Sequence, residues 1–560
     1  MYEHAPSGLA WWRPDETPAD LHGPTDVPFE PPARALLERP VFELLEAVAD
    51  RWPNAVALRD DTRILRYDEL RHSARHLGAR IAAATPRSTA VAVLLVHGFD
   101  ATVAMLACFA AGRTCLMLNA EFPPERVNAI LLQAAAAGVV LAGADNAATL
   151  PKHVVPIMLN APAEPDGAPT GPVATFDAVG PDDPALAIYT SGSTGQPKSI
   201  LRSHRQTVYL GWKKVHRFHL NPSDRVMTPF ALTSGPGVVT LMMTLIAGAS
   251  LYPVNVAASG ARAVLDTVRA EQITVITGLP ALLRMLFALD GAGAAFSHLR
   301  AIYTTSESLL RADIDAWRGV LPAGCKVALV YGMSEAAPLT EWFLPDKLPD
   351  GSARLPIGYL NADMEFAMTG TEGRPAAAGE AGALWVRGKL LSLGEWQNGR
   401  CVPGRLLCDP ADPSLVVLPT GDLVRRGPNG LMEFVGRADD QVKVRGNRIE
   451  PAEVEEVLRR APDVADAAVL ARRFGETTTL VAFVVARDSA GSALRRTLVE
   501  RLREVLPAYM VPARLHFIER LPRLPSGKLD ARALGVHDDA GAPAPGLLSR
   551  LRLPFRRTGR

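Results

Sequence analysis

The sequence predicts an α/β fold, with a large N-terminal domain of mixed sheets flanked by helices and a small α+β C-terminal domain. Three observations carry that expectation. The chain has 560 residues, more than one ordinary core organises. From about residue 41 to 435, continuous apolar runs alternate with helical stretches, as in strands buried on both faces. Around 419–436 the pattern changes, and a shorter mixed segment follows.

Taken in order, residues 1–40 are rich in proline and acidic groups and read as an irregular lead-in. The large domain is expected over 41–437, its strands at "TAVAVLLV", "GVVLAG", "ALAIYT", "ITVIT" and "KVALVYG", each followed by glycine, proline or small polar residues. In "TGDLVRRGPNGLMEFVGR", Pro428-Asn429-Gly430 separates two alternating runs and predicts a β-hairpin. "IEPAEVEEVLRR" predicts a helix: Pro451 suits its first position, Glu453 its positive end, and Val454, Val457 and Leu458 share a face. The small domain is expected over 438–534, and 535–560 is a basic tail expected to be flexible.

A net charge of +1 gives no global field toward nucleic acid or an anionic membrane. No apolar run reaches the roughly 18 residues of a membrane span. The amino terminus lacks the basic start and apolar core of a secretory signal. The five cysteines are scattered without a CxxC pair, against a disulfide framework or structural zinc. A cytoplasmic protein is expected.

"YTSGSTGQPKSILRSH" (189–204) is the most unusual stretch. Glycines after a buried strand let backbone N–H groups approach phosphate oxygens, because no Cβ holds the ligand away. Thr190, Ser191, Ser193 and Thr194 add hydroxyls around Gly192 and Gly195, and Lys198 adds a positive charge. The spacing matches neither GxxxxGK[ST] nor GxGxxG. On these residues alone, a phosphate cradle and a plain surface loop both remain open.

The stretch resembles the phosphate loop of the adenylate-forming superfamily, which includes acyl-CoA synthetases, luciferases and nonribosomal peptide synthetase adenylation domains. Further matches follow in the family's order over about residues 40–534: "LRYDEL", "LACFAAGRTCLMLNAEFPPERV", "YGMSE", "PTGDL", "GRADDQVKVRGNRIEPAEVE", "LPAYMVP" and "LPSGKLD". The resemblance implies ATP and Mg²⁺ as cofactors, with Glu335 and Thr190 toward the metal as hard oxygen ligands. It places Tyr331, with Gly332, Ser334, Ser306 and Glu307, around the adenine and phosphates. Asp422 would accept both ribose hydroxyls, Arg437 would give a second ribose or phosphate contact, and Lys528 would bridge the acid and nucleotide in the transition state. Read alone, Glu335 is an exposed glutamate, Asp422 a turn cap, Arg437 a surface pair and Lys528 a surface lysine. Asp439 falls at the family's hinge, about which the small domain swings.

Two positions depart from the family pattern. Ser199 stands where glycine follows the loop lysine, and Thr305-Ser306 where Gly-Gly or Gly-Ala precedes Glu307. At the acid pocket, amino-acid-activating members carry an aspartate where this chain has Ser234-Gly235. Burying an ammonium without a partner is costly, so an ordinary α-amino acid is disfavoured. The other matching positions are Pro236, Val239, Thr277, Ile302, Thr304, Val330, Pro338 and Leu339, an apolar lining with two hydroxyls that suits a neutral-tailed carboxylic acid. An amino acid anchored from elsewhere stays open.

The expected activity is acid activation as acyl-AMP with release of pyrophosphate, then transfer to a thiol. The acceptor is the phosphopantetheine arm of a separate carrier protein, since no attachment site is seen after residue 534, or CoA in an acyl-CoA ligase. A silent nucleotide-binding module is the third reading; such members would be expected to lose Lys528 or Glu335. No nucleic-acid or membrane partner is expected.

Overall fold

The apolar runs predicted as buried strands assemble into two large sheets. A computed structural model describes residues 3–6, 8–12, 20, 22–25, 27–143, 147, 149–159, 178–190, 198–336, 338–349, 354–370, 374–377, 379–438, 442–444, 447–449, 451–474, 477–487, 491–522 and 533–534. The chain divides into two compact units, one running to Ile449 and a second from residue 450 on.

In the first unit, a six-stranded sheet has the order Val155–Met158, Gly138–Leu141, Ala90–Leu95, Thr114–Asn119, β1 (Pro184–Thr190) and β2 (Lys198–Ser203). Every pairing is parallel except β1 with β2. All six residues of Ala90–Leu95 are buried, which is why this stretch shows no polar alternation. β2 leads into helix α1 (His204–Phe218), whose start is fixed by a reciprocal cap: Gln206 N donates to Ser203 Oγ and Ser203 N to Gln206 Oε1.

A nine-stranded sheet lies beside it. Its inner strands are parallel and include Arg225–Thr228, β3 (Val275–Gly278), β4 (Ala301–Thr305) and β5 (Lys326–Gly332); β6 (Pro338–Phe343) joins β5 antiparallel. Helix α2 (Gly235–Ala247) precedes β3 in the chain and is buried almost all round. Ser234 caps its first turn, and Gly248 ends it at φ 66°. A Cβ on Gly248 would come within 2.5 Å of the Trp52 ring, so both backbone sign and space require glycine.

A third sheet contains β7 (Val416–Arg426) and β8 (Met432–Arg437), the predicted hairpin, with Gly430 at φ 82° in its turn. The lead-in is more ordered than its composition suggests. Glu3–His4 pairs with Leu407–Cys408 at the edge of this sheet, Trp11 and Trp12 lie over Arg387 and Arg426, and Asp20 is buried against Arg217 and the Phe343 amide.

The second unit holds α3 (Pro451–Arg459), helix Ser492–Val505 and a three-stranded sheet of Val464–Phe474, Thr477–Ala486 and Arg514–Phe517. Val454, Val457 and Leu458 of α3 are buried, as their spacing predicts. Among the described residues, no helix is long and apolar enough to cross a membrane.

Candidate functional site

The carboxyl end of β5 and the hairpin of β7 and β8 meet at Asp422. Asp422 and Arg437 are cross-strand partners, and Arg437 Nη1 donates to Asp422 Oδ1 at 2.6 Å and to Thr420 O at 3.3 Å. The Tyr331 hydroxyl donates to Asp422 Oδ2. Each carboxylate oxygen thus has a donor, and the group is held in one orientation while only 5% of the residue is exposed. The Tyr331 ring lies 6.3 Å from that of Phe434, so β5 and β8 also share an aromatic contact.

After Tyr331 the ladder shifts register, Gly332 ends the strand, and the chain turns through Met333–Ala336 with Ala336 N bonded to Met333 O. This turn carries Ser334 and Glu335. Glu335 is largely buried, and its carbonyl accepts from Ser392 N at 2.9 Å. Below it lies Arg202 of β2, a residue the motifs did not flag. Arg202 Nη2 donates to Ser334 O at 2.7 Å and Ala336 O at 2.8 Å. Burial pulls the guanidinium down to about 10, opposed by the nearby Glu335 carboxylate, so it is charged at neutral pH.

Thr190 ends β1 with Lys198 as its strand partner. Ser191, Gly192, Ser193, Thr194 and Gly195 lie outside the described residues, as do Asp439 and Lys528. Ser199 is buried. Its hydroxyl donates to Trp396 O at 2.8 Å and accepts from Trp396 N at 2.7 Å. With Leu201 paired to Leu393 and Gly394, the exit strand of the phosphate-loop motif is stitched to the 393–396 segment. Ser306 has φ 73°, the left-handed region that glycine prefers, and Glu307 Oε2 accepts from Ala281 N at 3.3 Å at a helix start.

The acid-pocket positions divide between the two faces of the nine-stranded sheet. Val239 of α2, Val330 and Leu339 pack with Tyr303 in one core cluster, whereas Ile302 packs with Ile276 and Leu329 in another. Thr277 is buried on a chain of hydroxyls: it donates to Thr228 Oγ1 at 2.8 Å and lies 3.3 Å from Thr240 Oγ1. Thr304 stands opposite Gly278 and Leu329, its buried hydroxyl without a hydrogen-bond partner among the described residues. Pro338 begins β6, opposite Gly332. Gly235 and Pro236 open α2, where Ser234 Oγ accepts from Gly237 N at 3.3 Å and donates to Ala231 O at 2.7 Å. That hydroxyl is committed to the helix cap.

Comparison with known proteins gives a family. The family described as AMP-binding enzyme matches residues 45–396, and the AMP-binding enzyme C-terminal domain matches 453–528. Tyrocidine synthase 3 of Brevibacillus parabrevis is 31% identical over 514 residues, 90% of this chain and 8% of its own length. Isonitrile lipopeptide synthase of Streptomyces coeruleorubidus is 33% identical over 512 residues, 89% of this chain and 33% of its own. The chain therefore spans a third or less of either relative. Among solved structures, the o-succinylbenzoate CoA synthetase of Bacillus subtilis superposes with a TM-score of 0.74 at 21% identity, covering 88% of this chain and 97% of that one. An artificially fused adenylation–PCP di-domain from Klebsiella oxytoca gives a TM-score of 0.71 at 20% identity, covering 85% and 93%. The family matches, together with a fold shared by both solved structures, make this chain a member of the AMP-binding enzymes, within the adenylate-forming superfamily.

Proposed function

We propose that the protein activates a carboxylic acid as its acyl-adenylate, releasing pyrophosphate, and passes the acyl group to the phosphopantetheine thiol of a carrier protein. The observation that carries this reading is the Asp422 carboxylate, held by Arg437 and Tyr331 beside the turn bearing Glu335. A fixed carboxylate accepts two vicinal hydroxyls well, and an aromatic ring beside it offers a face for a base. Both substrates of the first step are anionic, so charge neutralisation and alignment are the main demands on the protein.

ATP and Mg²⁺ fit these residues. Among the described residues no three His, Cys, Asp or Glu side chains converge. That suits a metal taking most of its ligands from phosphate oxygens and water, with Glu335, and Thr190 by resemblance, as the protein's share. When bound, Mg²⁺ supplies positive charge at the phosphates. Lys198 adds charge beside them, and Lys528 is assigned the bridge between acid and nucleotide. Asp439 is assigned the hinge between a large domain over 41–437 and a small one over 438–534. The acid is neutral-tailed, in keeping with the apolar residues at the pocket positions, and is not an ordinary α-amino acid, because the Ser234 hydroxyl is spent on the cap and a helix N-terminus repels an ammonium group. The setting is cytoplasmic.

Pyrophosphate exchange over a panel of acids tests the reading. Neutral-tailed acids are expected to turn over, and Asp422→Asn to lose about a hundredfold in kcat/KM for ATP. Absence of AMP or acyl-adenylate with every acid overturns it. CoA as the better acceptor in the second half-reaction would make the protein an acyl-CoA ligase.

A further inference from the structure

We propose that Arg202 is a positioning residue for the metal carboxylate: from β2, its Nη2 holds the carbonyls on either side of Glu335 and so fixes that side chain. The inference rests on the reading of Glu335 given above. Arg202 is 3% exposed, and the two carbonyls it binds belong to Ser334 and Ala336, at 2.7 and 2.8 Å. One nitrogen therefore brackets the residue between them. The Glu335 carbonyl is taken separately by Ser392 N, so three successive carbonyls of the turn are tied to two neighbouring segments.

The base of this clamp is rigid. Arg202 is paired opposite Leu186 of β1, Leu201 is bonded on its other edge to Leu393 and Gly394, and Ser203 caps α1. A strand fixed on both edges holds a side chain more closely than a loop does. Its composition also argues for a specific task. In "SILRS" the four residues that accompany the arginine are small or apolar, and all five are buried. The arginine leaves Nη1 buried with no hydrogen-bond partner among the described residues. Carrying that unsatisfied donor makes sense where Nη2 is needed.

Calorimetric titration of ATP with and without Mg²⁺ reads the inference without turnover. For the wild type, Mg²⁺ is expected to tighten ATP binding. In Arg202→Met, that advantage is expected to fall at least about fivefold, while affinity for metal-free ATP stays within about twofold. Arg202→Gln, whose amide nitrogen has two N–H groups for the same carbonyls, is expected to restore most of it. Should the Met variant not fold, the Gln and Lys variants decide: both retain donors, and both should keep the advantage. A full Mg²⁺ advantage in Arg202→Met overturns the inference and leaves Glu335 standing. An advantage lost equally in Met and Gln means the charge, not the clamp, is what counts, and also overturns it. A wild type indifferent to Mg²⁺ removes the metal role of Glu335, and this inference with it.

Discussion

Ser306 and Tyr331 show how much a single side chain decides here. Ser306 sits at φ 73°, the left-handed region that glycine prefers, and a Cβ in that region costs about 1 kcal/mol. Ser306→Gly is expected to raise stability by roughly 0.5–1 kcal/mol, read as a shift in the denaturation midpoint, the gain being trimmed by glycine's greater unfolded-state entropy. Tyr331→Phe removes one of the two donors on Asp422 while Arg437 keeps the other. The KM for ATP should rise about fivefold with kcat little changed. At this scale the sequence was only partly readable. Asp422 and Tyr331 stood out through their motifs, but that they bond to each other depends on a strand and a hairpin 91 residues apart. Arg202 lies in the strand leaving the 189–204 stretch, but no role attached to it, and a lone arginine in an apolar strand gives no sign of which carbonyls it will meet.

Among the elements, α2 is the one whose local physics bears on substrate choice. Its N-terminus is capped by Ser234, and aspartate is at least as good a cap as serine. Ser234→Asp should therefore leave the thermal midpoint within a few degrees, since it keeps the cap and adds a favourable charge at the helix start. Pyrophosphate exchange with α-amino acids should then appear above the wild-type background, because an ammonium group gains a counter-charge. No such exchange in a folded variant would place the acid elsewhere. Elements with strong local signals were readable in advance: the Pro428–Gly430 turn, the proline start and apolar face of α3, and the wholly buried strands. The division of the pocket positions between two faces was not, because Ile302 and Val330 come from neighbouring strands whose register no single run discloses.

For the whole molecule, acid sensitivity follows from two buried histidines. Burial lowers His97 and His204 to about 4 each; His204 Nδ1 lies 3.3 Å from Val41 N, which donates to it. Each favours the neutral ring in the folded state, so the unfolded chain binds more protons between about pH 6.5 and 4. Their contribution is whole above pH 6.5 and is lost as pH falls toward 4, by about 1–3 kcal/mol each. Denaturation midpoints measured from pH 7 to 4.5 should fall, and His204→Gln should flatten part of that slope. Long-range pairing was the least legible part: nothing in the lead-in's composition announces that Glu3–His4 will find Leu407–Cys408.

That pairing has a practical side. A shortened protein starting after Trp12 would leave the Leu407–Cys408 margin with unbonded amides and carbonyls, and would strip the indole covers from Arg387 and Arg426. Open margins of this kind recruit copies of themselves. Light scattering should find such a shortened form self-associating at concentrations where the intact chain stays dispersed.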